Sequence, residues 1–168
     1  MVILNHHGVI LFLDFKKAFD TIEWQFMFDI LTTFGFKSSF ISWIKTLYNN
    51  ITSRISNNGW ISEPFSIKRG VRQGSPLSAL LFILIVEVLA TKIRNDSSWQ
   101  GIQVKQNQIK RTQLADDTSL FLKNEQEILK ALNIIDKFGT KSGLKLNINK
   151  TQGHGIGACK NKKAMSME

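Results

Sequence analysis

The order of hydrophobic patterns along the chain predicts an α+β fold, a mainly antiparallel sheet with helices on one face. Three observations carry that expectation. A continuous apolar run at 9–15 suits a strand buried on both faces. The helical and extended patterns that follow come in blocks, without the regular alternation that a doubly wound parallel sheet needs. No Gly-rich phosphate loop follows the first strand, which removes the commonest nucleotide-binding folds. With 168 residues, the chain has the size of one domain and can bury a sizeable core.

Each element has its own signal. Asp14 ends the first strand; Asp20 and Glu23 then have capping-box spacing, and Trp24, Met27 or Phe28, Leu31 and Phe34 recur at helical intervals before Gly35. A second short helix is expected over 40–48, after Ser38 and Ser39. Residues 51–67 read as short extended pieces, with Asn58-Gly59 as a tight hairpin turn and Pro64 at an edge or bend. The loop RGVRQGSP leads into a long apolar helix that starts near Pro76 and runs to about Ile93. Its densest stretch, at 77–90, contains Glu87 and is shorter than the roughly 20 residues that cross a hydrocarbon layer, so it reads as a core helix.

Residues 102–122 are extended, with Asp116-Asp117 as an acidic turn between 112–115 and 118–122. Asn124 and Glu127 have capping-box spacing for a helix whose stripe is Ile128, Ala131 or Leu132, Ile135 and Phe138, and Gly143 can end it. LKLNINK alternates Leu144, Leu146 and Ile148, as a half-buried strand delivering Lys150 would. The last 16 residues, 153–168, read as a poorly packed tail.

Composition narrows the partners. Twenty-two Lys+Arg against 13 Asp+Glu give a net charge of +9, which suits a polyanion and also suits ordinary solubility. A single cysteine excludes an internal disulfide framework and a multi-thiolate zinc site. His6, His7 and His154 form no metal set with Cys159. No basic leader with a cleavage site precedes the first strand, and no membrane address is visible.

Asp14 and Asp116-Asp117 stand at the ends of strands about 100 residues apart. Single strand-end carboxylates are commonly solvated turn residues. Three in corresponding places repel one another unless a cation compensates them, which suits one or two magnesium ions and nucleotidyl transfer.

Four ordered motifs, LDFKKAFD at 13–20, RGVRQGSPLSALLF at 69–82, LADD at 114–117 and SGLKLNINKT at 142–151, resemble the palm motifs of reverse transcriptases from non-LTR, LINE-type retrotransposons. The resemblance covers about 9–152 and implies a polymerase palm-like antiparallel sheet backed by helices, with a partial fingers segment. Strand and helix at 9–35, partial fingers and hairpin at 36–68, glycine loop and palm helix at 69–95, and the remaining palm at 100–152 would make up a partial reverse transcriptase domain at 1–152. Thumb, endonuclease and RNase H regions and most upstream fingers sequence are expected to be absent.

The resemblance also implies roles. Asp14 and Asp116 would be the principal metal-binding carboxylates, aided by Asp117 and the Phe15 carbonyl, and would hold two Mg2+ ions, with Mn2+ as a substitute. Phe19 would select deoxynucleotides, though a Phe entering a helix also suits the core. Asp20 could face the nucleotide, and a helix cap would equally explain it. Gln73 and Gly74 would contact the nascent base pair, while Arg69, Arg72 and Ser75 would touch nucleic acid or shape the loop. Lys150 would assist pyrophosphate departure. Leu114 departs from the aromatic residue usual at its position.

The implied activity is RNA-directed DNA synthesis inside the cell, from an RNA template, a DNA primer and dNTP, with missing fingers and thumb supplied by a longer polyprotein and no membrane involved. Independent turnover of the 168-residue chain is not expected. A catalytically inactive, nucleic-acid-binding remnant of a retrotransposon protein is the alternative.

Overall fold

A computed structural model describes residues 8–104, 106–115 and 117–157. The chain runs β1 (Gly8–Leu13), α1 (Ala18–Thr21), α2 (Trp24–Thr33), α3 (Ser38–Leu47), β2 (Thr52–Ser53), β3 (Ser56–Asn57), β4 (Trp60–Ile61), β5 (Phe65–Ser66), α4 (Pro76–Asn95), β6 (Ile102–Val104), β7 (Asn107–Ile109), β8 (Arg111–Leu114), β9 (Asp117–Leu122), α5 (Glu125–Ser142) and β10 (Gln152–Ile156). The main sheet has the order β10-β1-β9-β8, and every neighbouring pair is antiparallel. Helices back it, so the α+β expectation holds.

Strand alternation sorts the two faces. Leu11 and Leu13 of β1, and Thr118, Leu120 and Leu122 of β9, are buried beneath α4 and α5. Phe12 of β1 lies on the opposite, open face with 45% of its surface accessible, so β1 is buried on one face and not on both as its apolar run predicts, because the helices cover only one side of the sheet. The core is completed by Leu81, Phe82, Ile85 and Leu89 of α4, by Ile128, Ala131, Ile135 and Phe138 of α5, and by Met27 and Leu31 of α2.

With 20 residues and a mean hydropathy of 2.0 over an 18-residue window, α4 is long and apolar enough to cross a membrane by length and composition, more than the 14-residue run suggests. In this fold it is a core helix. Eight of its residues are buried, and Glu87 on its other side pairs with Arg94 and Arg111. The Arg94 guanidinium, hydrogen-bonded to Glu87 at 2.9 Å, holds that carboxyl below its ordinary pKa against the opposing effect of burial.

The hairpin expectation is met at Asn58 and Gly59, both left-handed, between the paired residues Asn57 and Trp60. The Asn124 side chain caps α5 by accepting from the Glu127 amide at 3.0 Å, and Gly143 ends that helix with φ 83°.

Three local expectations are corrected. Asp20 is not a helix cap: it lies within α1, and α2 starts afresh after Glu23. Ile22 is fully buried in an extended conformation between the two helices, so tertiary packing interrupts the helical period. Residues 144–150 form no strand beyond an isolated bridge between Leu146 and Phe15, because a turn follows it. The strand is instead β10, whose residues 153–156 fall in the stretch read as a poorly packed tail. Gly153 and Gly155 remove the apolar alternation by which a strand would be recognised. Asp117 opens β9, opposite Leu114, instead of sitting in the turn.

Gly143 is required on two counts, its positive φ and the Thr21 carbonyl oxygen with which a Cβ would collide. Gly143→Ala is expected to lower unfolding free energy in urea by about 2 kcal/mol or more, against about 1 kcal/mol for Gly59→Ala, whose surroundings are open. Because the Glu87 carboxyl is held below its unfolded pKa, its pairing stabilises the fold above that unfolded value, and the contribution is lost as pH falls through the folded one. Glu87→Gln should therefore cost less than about 1 kcal/mol at neutral pH, the pair being partly exposed, and nothing at pH below both values. Parallel urea titrations at the two pH values measure this.

Candidate functional site

Leu13 pairs with Thr118, and the antiparallel register continued by one step sets Asp14 opposite Asp117. Both residues therefore sit at one end of the central strand pair, on the open face that carries Phe12 and not on the face packed against helices. Leu114 pairs with Asp117 across the β8–β9 reversal, where Ala115 is left-handed at φ 53°. Leu114 is 79% exposed at this end of the sheet, so no core packing accounts for it. Asp116, the expected principal partner of Asp14, lies outside the described residues, as do His6, His7 and Cys159.

The backbone around Asp14 is fixed by the late segment. Its carbonyl oxygen accepts from the Asn147 amide at 2.7 Å, and the Lys145 carbonyl accepts from the Lys16 amide at 2.8 Å. Phe15, between them, forms the non-hydrogen-bonded bridge to Leu146, so its carbonyl is left out of that pairing. The Thr151 hydroxyl donates to the Asn147 carbonyl at 2.9 Å and accepts from the Asp14 amide at 3.5 Å. The Lys150 amide donates to the same Asn147 carbonyl. This turn brings Lys150, exposed and adjacent to Thr151, to the strand end that carries Asp14. Thr151 gave no sequence signal beyond its place in the fourth motif.

Among the described residues the Asp14 carboxylate makes no hydrogen bond or ion pair, and Asp117 is exposed. With the Phe15 carbonyl, these are hard oxygen donors at one place, which fits magnesium better than a soft metal. Among the described residues no group of three His, Cys, Asp or Glu side chains forms a metal site.

The glycine loop is fastened to the segment after β1. The Gly70 amide donates to the Ile22 carbonyl and the Val71 amide to the Phe19 carbonyl, each at 2.7 Å. The Trp24 indole N–H donates to the Gly70 carbonyl at 2.7 Å, and Arg69 lies 3.8 Å from Glu23. A Cβ on Gly70 would stand 2.8 Å from the Asp20 carbonyl oxygen, so this glycine is needed for close approach. Gly74 has φ 82° and open space around it. Of the two glycines in the motif, Gly70 is the one that close packing requires, a need visible only across the gap to Asp20.

Asp20 accepts from the Gln73 carboxamide at 3.0 Å, which orients that side chain. Both line a cleft of about 470 Å3 with Tyr48, Arg69, Gly70 and Arg72. Phe19 is half-buried and stacks on Phe82, ring centroids 4.6 Å apart, so the core role open in the sequence is realised on at least one face. Ser75 precedes α4 in extended conformation without a side-chain capping bond, and Pro76 occupies the first turn.

The structure thus gathers Asp14, Phe15, Asp117 and the Lys150 turn at one sheet end, and Asp20, Arg69, Arg72 and Gln73 around the neighbouring cleft. Thr151→Val, which removes a buried hydroxyl serving two backbone groups, should destabilise the fold by about 1–2 kcal/mol. It should also accelerate hydrogen exchange at the Asp14 amide more than at Leu120, as measured by NMR.

Comparison with known proteins identifies the family and the fold. A family model described as "Reverse transcriptase (RNA-dependent DNA polymerase)" matches residues 2–161. The Drosophila melanogaster Retrovirus-related Pol polyprotein from type-2 retrotransposable element R2DM is 33% identical over 144 residues, covering 86% of this chain and 13% of its own length. The Xenopus laevis Transposon TX1 uncharacterized 149 kDa protein is 27% identical over 141 residues, covering 84% of this chain and 11% of its own. This chain therefore spans about an eighth of the length of these relatives. The fold also matches the structure of telomerase from Candida tropicalis in complex with the TWJ fragment of telomeric RNA, with a TM-score of 0.70, 14% sequence identity, and coverage of 91% of this chain and 26% of that one.

Proposed function

Because the chain belongs to the reverse transcriptase (RNA-dependent DNA polymerase) family, we propose that it forms the palm-centred part of a LINE-type retrotransposon polymerase that copies RNA into DNA inside the cell. The observation that carries this reading is the β1–β9 register, which sets Asp14 opposite Asp117 at the end of the sheet where the Lys150 turn is also fastened. The reaction is attack of a primer 3′-hydroxyl on the α-phosphate of a dNTP, with pyrophosphate as leaving group.

Asp14, Asp116, Asp117 and the Phe15 carbonyl would hold two Mg2+ ions, or Mn2+ in their place, which supply charge neutralisation and a more acidic primer hydroxyl when bound. The carboxylates at the sheet end position the metal-binding oxygens. Lys150 faces the departing pyrophosphate as a mobile cation. Phe19, its ring backed by Phe82, limits the space beside the sugar and so favours a deoxynucleotide. Gln73, oriented by Asp20, contacts the nascent base pair, and Gly74 lets the backbone approach it. Arg69 and Arg72 attract phosphate, and Ser75 sets the start of α4 beneath the loop.

Primer extension on an RNA template, by this chain and by a longer polypeptide containing it, tests the proposal. Deoxynucleotide incorporation should require Mg2+ and fall at least 1,000-fold, an order-of-magnitude figure for removing a metal-binding carboxylate, in Asp116→Ala. Incorporation that survives Asp116→Ala would overturn it. Salt-dependent binding of primer-template by both polypeptides without incorporation would instead favour the inactive, nucleic-acid-binding remnant.

A further inference from the structure

Positive charge is unevenly distributed along the chain. Residues 37–76 hold six Lys or Arg against one acid, Glu63, and so carry more than half of the net +9 in under a quarter of the length. This segment contains α3, the short ribbons and the glycine loop, and it exposes two tryptophans, Trp43 and Trp60.

At its base a second cleft, of about 730 Å3, opens between α2, α3 and the ribbon. Trp24, Phe28, Lys45, Asn49, Asn50 and Lys68 are among its lining residues, and no carboxylate is. The acids next to these α2 residues in sequence are engaged, Glu23 lying 3.8 Å from Arg69 and Asp29 accepting from the Gln25 carboxamide at 2.8 Å. The Lys45 ammonium stands 5.4 Å from the centroid of the Phe28 ring. Ion pairs among the described residues are made by Arg69, Arg94 and Arg111, leaving Lys45 and Lys68 without a carboxylate partner. The Trp24 ring is held in place by its hydrogen bond to Gly70 and by edge contact with Tyr48 at 5.5 Å.

Unpaired cations, fixed aromatic rings and amides in one carboxylate-free cleft are the chemistry of single-stranded nucleic acid: phosphate for the lysines, a base face for the rings, base edges for the amides. The volume accommodates a nucleotide or two and not a duplex. Tyr48, Ile51 and Ile67 line this cleft and the Asp20–Gln73 cleft alike, so a strand leaving one enters the other. We propose that the α2–α3–ribbon cleft is a second nucleic-acid subsite, without chemistry of its own, that holds an unpaired strand and leads it past Tyr48 to the glycine loop. The reading of that strand as template rests on the proposed function; its binding does not.

Fluorescence anisotropy of a short labelled oligouridylate with the 168-residue chain tests this. The double variant Lys45→Glu/Lys68→Glu should bind about tenfold more weakly or worse and flatten the dependence of log Kd on log salt by about 1.4, the loss of two single-strand phosphate contacts. Lys92→Glu/Lys137→Glu, with the same change of charge on α4 and α5, should stay within about twofold of the parent. Lys45→Gln/Lys68→Gln, with an unchanged far-UV circular dichroism spectrum, should show an intermediate loss and separates binding from folding. Equal losses in the two charge-reversed pairs, no loss in the cleft variants, or equally tight binding of a duplex of the same length would overturn the subsite. Failed primer extension by both this chain and the longer polypeptide, with an intact cleft effect, would defeat the functional proposal and leave this one standing.

Discussion

The register of β1 is the constraint on which the rest of the molecule depends. Side chains alternate along a strand, so a slip of one residue against β9 would turn Leu11 and Leu13 out of the core and Asp14 into it. Burial of those leucines against α4 and α5 therefore fixes, as a by-product of packing, which carboxylates meet at the sheet end. The acids need no attraction for one another to be placed there.

The same logic extends to the glycine loop. Gly70 is pressed against the backbone of Asp20, with hydrogen bonds from the loop to Phe19 and Ile22 and from Trp24 back to the loop. Two motifs about fifty residues apart thus behave as one piece of backbone. The Asp20 to Gln73 bond is the side-chain expression of that contact, and it leaves the Gln73 carbonyl end for whatever enters the cleft. The positions of side chains in such a cleft depend on how firmly the backbone beneath them is held as much as on the side chains themselves.

Much of this was legible in the sequence where one physical cause dominates. The Asn58-Gly59 reversal, the Asn124 cap and the Ile128 to Phe138 stripe are local patterns, and each formed as expected; the apolar run of the first strand formed a strand, but one buried on a single face. Sequence failed where tertiary packing overrides local preference. Asp20 has cap spacing, yet the burial of Ile22 splits the helix after it. Leu144, Leu146 and Ile148 alternate like a strand, yet only Leu146 pairs, while the glycines that hide β10 pair along five residues. At the site, the carboxylates and Lys150 could be picked out by motif, but the Thr151 hydroxyl and the close approach at Gly70 could not, since both depend on what lies across the gap.

The placement of β1 has a further consequence, one of time. β1 has as its partners β9 and β10, which lie more than 100 and about 140 residues later in the chain. At a ribosomal rate of roughly 5–20 residues per second, β1 waits on the order of ten seconds for its neighbours. Until then its apolar residues have no sheet to join, and the carboxylates have no shared edge. Assembly of the acidic end thus waits until β9 has been made, and an interrupted translation product ending before Gln152 would lack the edge strand β10.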